Sequence, residues 1–73
     1  MEKKNITAEM NTFFEFICQG ILDIDAAAIR LDVKVEDINE AYNAWLAVDN
    51  GEKPSRKGII CIGKISNAMK KLL

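Results

Sequence analysis

The chain predicts an all-α fold, a compact bundle of about four short helices forming one small domain over residues 1–73. Three observations lead there. Apolar residues recur at steps of three and four, the spacing that gathers side chains on one helical face. The segments with that spacing are separated by stop and cap residues: Gly20, Asp23, Asn50, Gly51, Pro54 and Ser55. Strand-like stretches are short, limited to Val33-Lys34-Val35 and the IICI run at 59–62.

Taken in order, Thr7 is placed to cap a first helix, with Glu9 near its positive end. Met10, Phe13, Phe14, Ile17 and Ile21 form its inward stripe. Phe16 widens that stripe, so this helix is central or covered by a partner. Gly20 stops it, because glycine takes the left-handed C-terminal conformation without a Cβ clash. Asp23 or Asp25 caps a second helix over about 24–32, where AAAI permits close backbone approach. Val33-Lys34-Val35 reads as a turn. Glu36 and Asp37 open a third helix to about Val48, with Ile38, Ala41, Tyr42, Trp45 and Val48 inward. DNGEKP breaks it, and Ser55 caps the final segment. Residues 64–72 read as helix. For 56–63 helix is preferred on the seam Ile59, Ile62, Ile65, Met69 and Leu72. Gly58 and Gly63 each cost a helix ~1 kcal/mol, so a short strand between them is the alternative.

Composition narrows the chemistry. A chain this short buries only about 60% of its unfolded surface, so dimerisation or a partner would help it. With 49% hydrophobic residues and a formal net charge of −1, it still folds. The most apolar stretch, Phe13 to Ile24, is interrupted by Glu15, Gln19, Gly20 and Asp23, too soon to span a membrane. MEKKNITAEM has no apolar run of a secretory signal, so a cytoplasmic protein without membrane association is expected. Histidine is absent, which removes the commonest general base, nucleophile activator and zinc ligand. Cys18 and Cys61 sit in apolar runs and read as buried free thiols; two thiols alone do not close a zinc site. Ser55 and Ser66 have no activating histidine. The loop DNGEKPSRKG has neither EF-hand spacing nor the phosphate-loop pattern. Asp23 and Asp25 read as caps, not metal ligands. No enzyme, cofactor, metal or small-molecule substrate is expected.

Charge is divided along the chain. Residues 1–52 hold all eleven acids and four bases, a formal −7. Residues 53–73 hold six bases and no acid, a formal +6. The dipole of a final helix accounts for Lys70 and Lys71, but not for Lys53, Arg56, Lys57 and Lys64. Such asymmetry points to nucleic acid or an acidic partner; mutual neutralisation of the two halves in the fold is the alternative.

Within AAAIRLDVKVEDINEAY, Ala28, Leu31, Val33, Ile38 and Ala41 follow the spacing of a helix-turn-helix, and residues 26–42 resemble that motif. Asp32 stands where the motif usually has glycine, and Asp tolerates the left-handed turn conformation better than most residues. Residues 41–73 resemble the small helical or winged-helix C-terminal domain of phage and poxvirus-type primase-helicases. Tyr42, Trp45, Asn50, Gly51, Glu52, Pro54, Ser55, Gly63 and Leu72 carry that likeness. It implies a DNA-associated module of phage or mobile-element origin, linked to replication.

The expected function is therefore DNA binding. Lys53, Arg56, Lys57, Lys64, Lys70 and Lys71 would meet the phosphate backbone, with Asn39 and Asn43 as candidates for adenine edges. Groove reading by the third helix is disfavoured, because Glu36, Asp37 and Glu40 share its outward face with those asparagines. Tyr42 and Trp45 are candidates to stack on bases, but one turn apart they read first as core. The alternative is a protein-interaction module (adaptor, inhibitor or DNA mimic) docking or dimerising through Glu36, Asp37 and Glu40, or through Phe13 and Phe16.

Overall fold

A computed structural model describes residues 8–72 of the protein. Four helices follow one another: α1 (Ala8–Cys18), α2 (Ile24–Leu31), α3 (Val35–Asp49) and α4 (Arg56–Leu72). There is no strand among the described residues, so the all-α bundle holds and the strand alternative for 56–63 falls. Thr7 and the side chain of Leu72 lie outside the described residues.

The same turn chemistry ends α1, α2 and α3. After α1, Gly20 is left-handed (φ +77°); its N–H donates to the Ile17 carbonyl at 3.1 Å, and Ile21 N–H to Phe16 at 2.9 Å. After α2, Asp32 takes φ 57° and ψ 48°, donating to Ile29 at 3.2 Å while Val33 N–H reaches Ala28 at 3.0 Å. After α3, Gly51 (φ +79°) donates to Val48 at 3.0 Å and Glu52 N–H to Ala47 at 2.7 Å. Each pair satisfies carbonyls that a helix end otherwise leaves open. At the entrances, the Asp23 carboxylate accepts from Ala26 N–H at 3.2 Å, and Ser55 Oγ from Gly58 N–H at 2.9 Å. Lys34 precedes α3 without a side-chain cap.

The core gathers from all four helices: Met10 and Phe14 from α1, Ala27, Ala28 and Leu31 from α2, Ile38, Ala41, Ala44 and Trp45 from α3, and Cys61, Ile62, Ile65 and Ala68 from α4. Phe14 lies against Trp45 and Tyr42, with ring centroids 5.7 and 6.1 Å apart, and Tyr42 stacks on Trp45 at 6.1 Å. Trp45 is nearly enclosed, and its indole N–H donates to Asn11 Oδ1 at 2.8 Å. The two aromatics of α3 are therefore core.

Three expected core residues are corrected. Ile21 is 68% exposed, because α1 ends at Cys18 and the left-handed Gly20 turns the chain before Ile21; Leu22 takes the inward place. Ile59 is 50% exposed, because two consecutive steps of three along a helix drift about 120° from Ile65. Cys18 is exposed at the last turn of α1, while Cys61 is buried as expected.

α3 and α4 make the closest approach. A Cβ at Gly58 would lie 2.6 Å from the Ala44 Cβ, 3.0 Å from Ser55 Oγ and 3.2 Å from the Glu40 carbonyl. A Cβ at Gly63 would meet nothing within 4 Å among the described residues. The two glycines should therefore respond oppositely to alanine in thermal unfolding. Gly58→Ala is expected to destabilise by about 1–3 kcal/mol through overpacking. Gly63→Ala is expected to stabilise by about 1 kcal/mol through helix propensity. Equal shifts of one sign would contradict the packing described.

Candidate nucleic-acid interface

The buried side of α4 is set by Gly58, Cys61, Ile62, Ile65 and Ala68. Ser66 and Met69 are half-buried at its margin, and the exposed face carries Arg56, Lys57, Lys64, Lys70 and Lys71 and no acid. Lys53 is exposed in the loop just before. Lys70 and Lys71 occupy the last turn, where the helix dipole favours cations. Arg56 and Lys57 occupy the first turn, the positive end, where no acid offsets them. The fold places cations there against its own electrostatics.

Lys64 has a partner. Its Nζ lies 3.8 Å from Asp37 Oδ2, with the lysine 56% and the aspartate 19% exposed. The other oxygen of Asp37 accepts from the Cys61 thiol at 3.7 Å. Burial pushes the Cys61 thiol up from its ordinary range. The charge of Asp37 and its hydrogen bond push the same way, Lys64 pulls less strongly against them, and the charge of Glu40 adds a lesser push upward. Cys61 is thus a protonated, enclosed thiol. Tyr42 is also raised, first by its hydrogen bond with Cys18 and then by burial. Among the described residues, Lys53, Arg56, Lys57, Lys70 and Lys71 have no acid partner. The two halves neutralise each other at one point on this ridge.

The sequence-predicted residues therefore separate. Asn39 and Asn43 are exposed on α3, on the helical face that also carries Glu36. Half-buried Glu40 stands on the α4 side of them, its charge felt at Cys61 and its carbonyl close to Gly58. Asp37, expected to face outward, turns inward to Cys61 and Lys64, so the acidic outer face shrinks to Glu36 and the edge of Glu40.

Phe13 and Phe16 flank a feature that sequence reading missed. A cleft of about 250 Å³ opens between α1, α2 and the end of α4, walled by Phe13, Leu22, Ala27, Leu31 and Met69. Glu9 and Arg30 stand at its mouth, and it continues along α1 to half-exposed Phe16. Its walls come from three helices, so no single periodicity displays them.

Among the described residues, no group of three His, Cys, Asp or Glu side chains could hold a metal, and no helix is long and apolar enough to cross a membrane. No protein-family model, curated protein or solved structure matches the chain.

The two thiols give a direct check on this geometry. In native protein, Cys18 should react with an aromatic disulfide reagent at once. Cys61 should react at least roughly a hundredfold more slowly, catching up only on unfolding. Two equally fast thiols would contradict the enclosure of Cys61 beneath Asp37 and Lys64.

Proposed function

We propose that the protein is a non-enzymatic DNA-associated module that holds duplex phosphates with the solvent face of α4 and with Lys53. One observation carries this reading: a helix face with five cations and no acid, two of them at the end where the helix dipole opposes them. Phosphate oxygens relieve that opposition, since helix N-termini and exposed lysines both favour anions. The α2–α3 corner, with its left-handed Asp32, acts in this reading as a helix-turn-helix-like scaffold behind α4, not as the reader. The likeness of residues 41–73 to primase-helicase C-terminal domains supports a phage or mobile-element origin and work in DNA replication, in the cytoplasm.

Gel shifts on duplex DNA test it. With about five phosphates neutralised, affinity should fall roughly 10²–10³-fold between 50 and 200 mM salt. Alanine at Lys53, Arg56 and Lys57 together should reduce the logarithmic salt slope by about two to three. Unshifted duplex at 50 mM salt would remove the proposal.

The cleft favours a second reading, a docking site for a basic amphipathic helix of another protein. Residues 8–32 carry Glu9, Glu15, Asp23, Asp25 and Asp32 against Arg30 alone, a formal −4 around apolar walls. A second copy would bring like charge to that face; leucine anchors flanked by lysines would complement it. A fluorescent leucine–lysine helical peptide is the probe. Phe16→Glu and Glu9→Lys, both at exposed positions, should each weaken it roughly tenfold. A glutamate-for-lysine version of the peptide binding equally well would exclude this reading.

A further inference from the structure

We infer that the middle of α4's outer face reads base edges in the major groove, so that the protein discriminates between duplex sequences. This deepens the DNA-binding proposal and rests on it. The leading observation is Gly63. It is exposed in the middle of a 17-residue helix, and a Cβ there would touch nothing among the described residues. Glycine is the poorest helix former after proline, so Gly63 weakens the fold and gains no internal packing in return. Among the described residues nothing makes use of the missing side chain, which points to a surface beyond them. Beside it, Ile59 and Ile60 are 50% and 55% exposed among cations, where solvation alone gives no reason for isoleucine.

Helical geometry orders these residues. Arg56, Ile60, Gly63 and Asn67, stepping by four, three and four, run down the centre of the exposed face. Lys57, Lys64 and Lys71 follow one edge, each about 10.5 Å from the next, and Ile59 and Lys70 follow the other. A major groove about 12 Å wide admits one such helix, its central row toward the bases and its edges toward the two phosphate walls. In the middle of that row, Asn67 matches adenine N6 and N7 and Ile60 matches the thymine methyl, while Arg56, at the entrance of the helix, keeps its phosphate. Gly63 lets the helix backbone approach the base edges between the Ile60 and Asn67 contacts. An acidic protein or an anionic lipid surface would also meet the lysines. Neither gives a use to a primary amide and a bare glycine on the centre line.

The experiment selects duplexes from a pool with a randomised core, then measures affinity for selected and unselected DNA at one salt concentration. Wild-type protein should enrich a motif and prefer it roughly tenfold or more. Asn67→Ala and Gly63→Ala should each reduce that preference roughly tenfold, although Gly63→Ala unfolds at a higher temperature than wild type. Loss of recognition in a more stable protein separates this role from a folding defect. Lys57→Ala with Lys71→Ala should instead weaken both duplexes and lower the salt slope by about two. Salt-sensitive binding with no enriched motif, or with a preference that survives Asn67→Ala and Gly63→Ala, overturns the inference and leaves backbone binding standing. Absence of any duplex binding at low salt overturns both.

Discussion

The approach of Gly58 to Ala44 governs the rest of the molecule. With no side chain at Gly58, α4 lies against the α3 backbone closely enough that a methyl group there would sit 2.6 Å from its neighbour. That contact fixes the rotation of α4 about its own axis. Cys61, Ile62, Ile65 and Ala68 then fall inward, and Arg56, Ile60, Gly63, Lys64 and Asn67 fall outward. The same contact brings Asp37 over Cys61 and within reach of Lys64. Core, buried thiol and basic face are three consequences of one close approach.

Much of the fold was legible because helix ends have local causes. Gly20, Asp23, Asp32, Gly51 and Ser55 each act through backbone hydrogen bonds to residues at most a few positions away. A residue such as Asp32 in a left-handed turn is readable without knowing what the helices pack against. Ile59 shows where local reading stops. Its spacing fits a seam as well as Ile62 does, and only the rotation of α4 on α3 decides between them. Cys18 and Ile21 failed for a related reason: α1 closes at Cys18, and a stripe has no meaning past a left-handed turn.

The candidate site was legible in composition and not in arrangement. Six bases without an acid after Glu52 are visible in the chain itself. Which of them remain uncompensated depends on contacts across the α3–α4 pair. Sequence separation between Asp37 and Lys64 gives no hint of their meeting. That meeting also draws Asp37 away from the outer face, where a free carboxylate would weaken the positive field of α4. Its two oxygens already serve a lysine and a thiol. Asn39 and Asn43, by contrast, keep Glu36 and Glu40 as neighbours, so α3 offers hydrogen-bonding groups inside a negative field.

The two glycines of α4 make the division between fold and surface concrete. Both weaken the helix by about the same intrinsic amount, near 1 kcal/mol. At Gly58 the weakness is offset inside the molecule, where α3 occupies the space a side chain would need. At Gly63 nothing among the described residues offsets it. The helix carries that weakness on the face where its cations stand and its core does not. Along the inner side of α4 packing offsets what propensity loses, and on the outer side, among the described residues, it does not. Sites of function are where such disagreement is expected, because there a side chain is matched to something other than its own fold.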